Sequence, residues 1–125
     1  MTENELATIV VDTAFKIHTK LGPGLLESVY QAILVYELQR RGLYLEVQKP
    51  VPVIWEEVQL DIGFRADIIV ERKLVLELKS MEAVAPVHKK QLRTYLLLTN
   101  CRLGLLINFN VELIKDGISR VVNGL

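Results

Sequence analysis

The stretch Phe64-Arg65-Ala66-Asp67-Ile68-Ile69-Val70-Glu71-Arg72-Lys73-Leu74-Val75-Leu76-Glu77-Leu78-Lys79 decides how this chain folds. Two runs rich in aliphatic residues flank a short charged segment, which predicts a β-hairpin over residues 64–71 and 74–79. Side chains alternate across a strand, so residues i and i+2 share a face. Val75, Glu77 and Lys79 therefore lie on one face of the second strand and Leu74, Leu76 and Leu78 on the other. On the first strand, Asp67 and Ile69 share one face, and Ala66, Ile68 and Val70 the other. A three-residue loop, Glu71-Arg72-Lys73, pairs Val70 with Leu74 and hence Asp67 with Glu77, so that Asp67, Glu77 and Lys79 converge on one side of the hairpin. A two-residue loop would set Asp67 opposite Leu78, on the wrong face, because a one-residue slip inverts every side chain. The loop lacks the glycine that such connections often use.

Upstream of the hairpin, Thr2 and Glu5 stand at capping-box spacing. Leu6, Ile9, Val10, Ala14, Ile17 and Leu21 recur at helical intervals, predicting an amphipathic helix from about residue 3 to residue 20. Gly22-Pro23-Gly24 ends it. A second helix is predicted over about residues 25–40, with Gly42 as its stop and Leu26, Val29, Tyr30, Ile33, Leu34 and Leu38 on its apolar face. Residues 45–48 and 51–55 read as extended, and Pro50 and Pro52 restrict them to an edge or a bend. Downstream, Pro86 starts a third helix running to about residue 98. Residues 102–109 read as a buried strand. Asp116-Gly117 reads as a hairpin turn joining 112–115 to 118–122. Two helices, several strands, a helix and further strands predict an α/β (α+β) fold with a mixed central sheet and helices packed on it.

The chain has 125 residues, enough for one core, and shows no repeat, low-complexity stretch or linker, so residues 1–125 are expected to form a single domain. Fifteen Lys plus Arg balance fifteen Asp plus Glu, giving a formal net charge of zero. That balance speaks against a strong non-specific grip on nucleic acid but leaves room for a local basic patch. A single cysteine, Cys101, excludes a disulfide framework or a cysteine-rich metal site within one chain, and it is expected in the core. The acidic N-terminus lacks a signal-peptide pattern, and the longest apolar runs, such as 103–107, are too short to span a bilayer. The expectation is a soluble, cytoplasmic protein with no membrane partner.

Two carboxylates and a lysine converging at one point suit phosphodiester hydrolysis. Asp67 and Glu77 would hold a hard divalent cation, with water or phosphate completing its coordination. Such an ion acidifies a bound water and offsets charge on the phosphate. Lys79 would position that water, steady developing negative charge, or act as a base if its pKa is depressed. The pattern by itself more often marks ion pairs on a solvated sheet face, since short motifs have many false positives.

Further segments carry a resemblance. Gly24-Leu25-Leu26-Glu27-Ser28-Val29-Tyr30 is similar to the motif that names the GxxExxY family, a branch of the PD-(D/E)XK nuclease superfamily. The chain also resembles that family at Asp67-Ile68-Ile69-Val70, at Glu77-Leu78-Lys79, at Gln91-Leu92-Arg93-Thr94-Tyr95 and at Leu106-Ile107-Asn108-Phe109, in family order over nearly the whole chain. The resemblance implies a restriction-endonuclease-like core, a four-stranded sheet flanked by helices, and Mg²⁺-dependent (or Mn²⁺-dependent) cleavage of nucleic acid, with DNA the expected substrate. The chain departs from the pattern in three ways. Ala66 stands where the superfamily's name has proline, Asn110 follows Phe109 where the family tends to have glycine, and Cys101 alone cannot supply the iron–sulfur cluster of related exonucleases.

With the resemblance, Asp67 and Glu77 are expected metal ligands, the backbone carbonyl of Leu78 a further one, and Lys79 the support of the nucleophilic water. Glu27, in the first turn of helix two, is expected as a third acid facing the metal or orienting its water, against the alternative of an acid stabilised by the helix dipole. Gln91 and Tyr95 share a face of helix three and resemble the Gln-x-x-x-Tyr motif of RecB-like nucleases, beside the metal. His88, Lys89, Lys90 and Arg93 form the candidate phosphate-contacting patch. Tyr30 is expected in the core with its hydroxyl bonded, His18 in a structural role, and Glu37 in a buried ion pair. Gln48 lies on an early strand within reach of the site and carries no assigned role. A nuclease is the first expectation, and a homodimer is one way so small a domain could hold two strands. The alternative is a catalytically silent nuclease-fold module that binds nucleic acid or protein.

Overall fold

The computed structural model describes residues 1–125, except the side chain of Ile62. The elements run α1 (Glu3–Leu21), α2 (Glu27–Arg40), β1 (Leu45–Trp55), β2 (Val58–Val70), β3 (Leu74–Lys79), α3 (Pro86–Thr99), β4 (Leu103–Asn108), a 3₁₀ turn (Ile114–Gly117) and β5 (Ile118–Val122). One sheet holds the strands in the order β1-β2-β3-β4-β5. Only β3 and β4 are parallel; the other neighbours are antiparallel. A parallel pair needs a long crossover, and α3 supplies it. The mixed sheet flanked by helices agrees with expectation, with five strands where the resemblance implied a core of four.

Each face of the sheet is covered. On one, Leu6, Val10, Ala14 and Ile17 of α1 and Tyr30, Leu34 and Leu38 of α2 bury the aliphatic faces of β3 and β4, Leu74, Leu76, Leu78, Leu103, Leu105 and Ile107. On the other, Leu92 and Leu96 of α3 cover Ile69, Val75 and Leu106, with Cys101 at the margin. Gly104 makes the second contact close, because a Cβ there would meet the Leu92 side chain at 2.9 Å. α1 begins at the expected capping box, with Thr2 Oγ1 accepting from the Glu5 N–H (3.1 Å) and Glu5 Oε1 from the Thr2 N–H (2.9 Å).

The hairpin keeps the expected register, Val70↔Leu74, Ile69↔Val75 and Ile68↔Leu76. Its loop closes with the Lys73 N–H donating to the Val70 carbonyl (2.9 Å). In place of glycine, Glu71 and Arg72 adopt positive φ of 51° and 57°. Tyr44 supports them: its carbonyl accepts from the Glu71 N–H (2.8 Å), and the Arg72 guanidinium sits 5.1 Å from its ring centroid.

Several expectations need correction. Residues 112–115 are not a strand, and Asp116-Gly117 is not a hairpin turn. Val111 is held by His18, whose Nε2 lies 2.7 Å from the Val111 carbonyl, and the chain then makes a 3₁₀ turn before β5 returns along β4. Gly117 is needed for close approach: a Cβ there would collide with the Asn108 carbonyl. Leu26 and Val29 are exposed, at 73% and 38%, because the first turn of α2 meets the polar end of β3, where the Ser80 hydroxyl donates to the Leu25 carbonyl (2.6 Å). Glu37 is only half buried and pairs with Arg40 at 3.4 Å on the surface. Ala66 does not share a face with Ile68 and Val70 but belongs to the cluster under α3. The period-two alternation breaks between Ala66 and Ile68, where Gln48 on the neighbouring strand has φ 50°.

Candidate active site

That break lies at the carboxylates. Beyond the pair Ile68↔Leu76, ladder bonds between β2 and β3 give way to bonds made by acidic side chains. The Asp67 N–H donates to Glu77 Oε1 (3.2 Å), and the Leu78 N–H donates to Asp67 Oδ2 (2.8 Å). Each acid thus takes a main-chain donor that the end of the hairpin would otherwise leave open. An extended residue points its N–H and carbonyl to the same side, so the Leu78 carbonyl also faces the Asp67 side of β3.

Glu77 is buried, 7% exposed, yet enters no ion pair among the described residues. Burial pushes its pKa up to about 8 from an ordinary 4.5, and the neighbouring Asp67 charge adds to the rise; the Asp67 N–H and the Lys79 charge oppose it. Lys79 is half buried at the end of β3, its carbonyl accepting from the Phe109 N–H (2.9 Å).

The elements around the hairpin bring further groups in. Tyr30 is fully buried, stacked on Phe109 with centroids 4.4 Å apart. Its hydroxyl donates to the Gly22 carbonyl (2.6 Å) and accepts from the Leu25 N–H (3.3 Å), so it staples the turn that launches α2. Asn108, also buried, holds the chain after β3 through the Met81 N–H (3.1 Å) and carbonyl (2.9 Å). Those two bonds and the Ser80 clamp fix Glu27 relative to Lys79. Partial burial and the charge of Asp67 raise the Glu27 pKa, against an opposing pull from Lys79. The side chain is nevertheless exposed, and among the described residues no three His, Cys, Asp or Glu groups gather closely enough to hold an ion by themselves. Glu27 therefore stands beside the acid pair rather than completing a carboxylate cage.

From α3, Tyr95 lies face to face on Phe64, centroids 3.4 Å apart. Burial raises its pKa, and the charges of Glu77 and Asp67 raise it further. The ring packs on the cluster that holds Val75, whose strand face Glu77 shares. Gln91, one turn before it, is exposed. The four residues expected to contact phosphate fall into two pairs. His88 Nδ1 accepts from the Ala85 N–H (3.1 Å) at the start of α3, and Arg93 donates to the Val122 carbonyl (3.0 Å), so both are engaged within the fold. Lys89 and Lys90 are exposed and enter no salt bridge among the described residues.

Gln48 is the residue that sequence reasoning left without a role. Its Nε2 donates to Asp67 Oδ1 (3.2 Å) and to Gln31 Oε1 on α2 (2.8 Å). With Leu26, Glu27, Ser28 and Gln31 it lines an open cavity of about 530 Å³. Its place opposite Asp67 was available once β1 was registered against β2, but nothing local in Glu46-Val47-Gln48 announces it.

A hard cation suits this arrangement. Two carboxylates face each other with one of them desolvated, a main-chain carbonyl is directed to the same side, and a lysine stands nearby without a close acidic partner among the described residues. A family model described as the PD-(D/E)XK nuclease superfamily matches residues 4–121, and the chain belongs to that superfamily. No curated protein and no solved structure matches it. Among the described residues, no helix is long and apolar enough to cross a membrane.

Proposed function

We propose that this protein is a divalent-metal-dependent nuclease of the GxxExxY branch that hydrolyses phosphodiester bonds, with DNA as substrate. The observation that carries the reading is the buried Glu77 carboxyl, set against Asp67 with no ion-pair partner among the described residues. Burying an acid in that way costs free energy unless something offsets its charge when it ionises. Asp67, Glu77 and the Leu78 carbonyl would hold Mg²⁺ or Mn²⁺, with water and substrate phosphate taking the remaining positions. When bound, the ion supplies Lewis-acid polarisation and a more acidic water.

This chain's own groups do the rest. Lys79 brings an ammonium to the side where negative charge develops on the phosphate during attack. Glu27, its pKa raised, holds its proton to higher pH than a free glutamate and orients water at the open side of the pair. Tyr95, its phenol kept protonated, donates a hydrogen bond toward the phosphate, and Gln91 extends the same helix face. Lys89 and Lys90 contact the flanking backbone. The test is calorimetric titration of Mg²⁺ and Mn²⁺ into wild type and Glu77→Ala, with a nicking assay on supercoiled plasmid. Binding and cutting in wild type, both lost in the variant, support the proposal. Two folded proteins that bind no metal refute it and leave the non-cutting binding module as the better reading.

A further inference from the structure

We infer that Gln48 is a positioning residue for Asp67, and that its amide is the link tying α2, which carries Glu27, to the metal-binding carboxylate. The inference rests on the metal-site reading above. Three observations converge on it. The first is contact: the two N–H groups of one amide reach Asp67 Oδ1 (3.2 Å) and Gln31 Oε1 (2.8 Å). Gln31 stands one helical turn after Glu27, on the same face of α2. The second is what the contact does to Asp67. Leu78 already donates to Oδ2 (2.8 Å), so with Gln48 on Oδ1 both carboxylate oxygens are held and the plane of the group is set. Each oxygen keeps lone-pair capacity for a cation, since a carboxylate offers about four acceptor sites.

The third is the backbone. Gln48 has φ 50° inside a strand, a region that residues with a Cβ seldom occupy. Its neighbours Val47 and Lys49 pair regularly with Ile68 and Ala66, so the ladder resumes on either side of it. The distortion falls at the one position of β1 that faces Asp67, and there the two strands exchange faces. A residue kept in an unfavourable conformation at a site, with its side chain on a reactive group, is the pattern expected where positioning outweighs local stability. The Arg65 guanidinium donates to the Gln48 carbonyl (3.3 Å), which helps hold the distorted peptide.

This strain gives a test that a merely structural residue would not pass. Gln48→Gly relieves the positive φ while removing the amide, and Gln48→Ala removes the amide while keeping the strain. Wild type, both variants and Asp67→Asn are melted by circular dichroism and titrated with Mn²⁺ alone. The expected result is that Gln48→Gly melts at or above wild type, yet binds Mn²⁺ about 10- to 100-fold more weakly, the usual loss for a residue that orients a ligand. Gln48→Ala should lose the same affinity. Wild-type affinity in Gln48→Gly, with binding abolished in Asp67→Asn, overturns the inference and leaves the metal site standing. Affinity that falls only in step with melting temperature overturns it as well. If wild type binds no Mn²⁺, the metal reading fails by itself, and the hold on Asp67 is read from folding stability. Changes in Gln48→Gly and Asp67→Asn that simply add in the double variant then refute the contact, and non-additive changes uphold it.

Discussion

Replacing Glu77 by glutamine should make the protein more stable, and increasingly so as pH rises. The native Glu77 carboxyl holds its proton up to about pH 8, whereas in the unfolded chain it releases it near 4.5. Between those values the native state binds more protons than the unfolded state, so stability falls as pH rises. The contribution is fully present below pH 4.5 and is lost as pH passes through about 8. Over the whole window it amounts to about 5 kcal/mol, at about 1.4 kcal/mol per pH unit. Between pH 6 and pH 8 the same relation gives a loss of about 2 kcal/mol. For a domain of this size that is about 8 °C in Tm. Glu77→Gln keeps an oxygen to accept from the Asp67 N–H and removes only the titration. The assay is a set of thermal melts of both proteins from pH 5 to pH 9 in metal-free buffer. The gap between the two curves should open with pH and level off above pH 8. Parallel curves, or a wild type that gains on the variant as pH rises, would refute the reasoning.

Tyr95→Phe retains the ring over Phe64, so stability should stay within about 0.5 kcal/mol in chemical denaturation while plasmid nicking falls. Tyr30→Phe keeps the stack on Phe109 but drops the bonds to Gly22 and Leu25; urea melts should show a loss of about 1 kcal/mol. The accompanying drop in cutting rate would exceed that of a core variant equally destabilised, because Glu27 loses its anchor. Gly117→Ala forces a Cβ onto the Asn108 carbonyl and should cost about 2 kcal/mol or more by the same measurement. Lys89→Ala and Lys90→Ala should each weaken binding to a DNA duplex and reduce the salt slope of log affinity by about 1, read by fluorescence anisotropy across salt concentrations.

Much of the architecture was legible because it obeys short-range rules. Capping chemistry at Thr2 and Glu5, helical spacing from Leu6 to Leu21, and Pro86 at a helix start all act within one or two turns. The last hairpin was misread for the same reason. Asp116-Gly117 has the composition of a turn, but its glycine answers to Asn108, a neighbour in space, and Val111 is held by His18, 93 residues away in sequence.

The sequence by itself determined the register of the central hairpin, Val70 against Leu74, which brings Asp67 and Glu77 to neighbouring strand positions. Strand alternation and a three-residue loop leave one pairing that buries the aliphatic residues. Only the tertiary structure decided how those acids are held. The end of the ladder turns their oxygens toward main-chain N–H groups, burial raises the Glu77 pKa, and Tyr30, Ser80 and Asn108 carry Glu27 to the edge of the site. Gln48 belongs wholly to this second kind. Its left-handed backbone is unfavourable locally, and it stands where α2 and Asp67, distant in the chain, both bond to its amide; contacts between distant segments leave no periodic mark in a sequence.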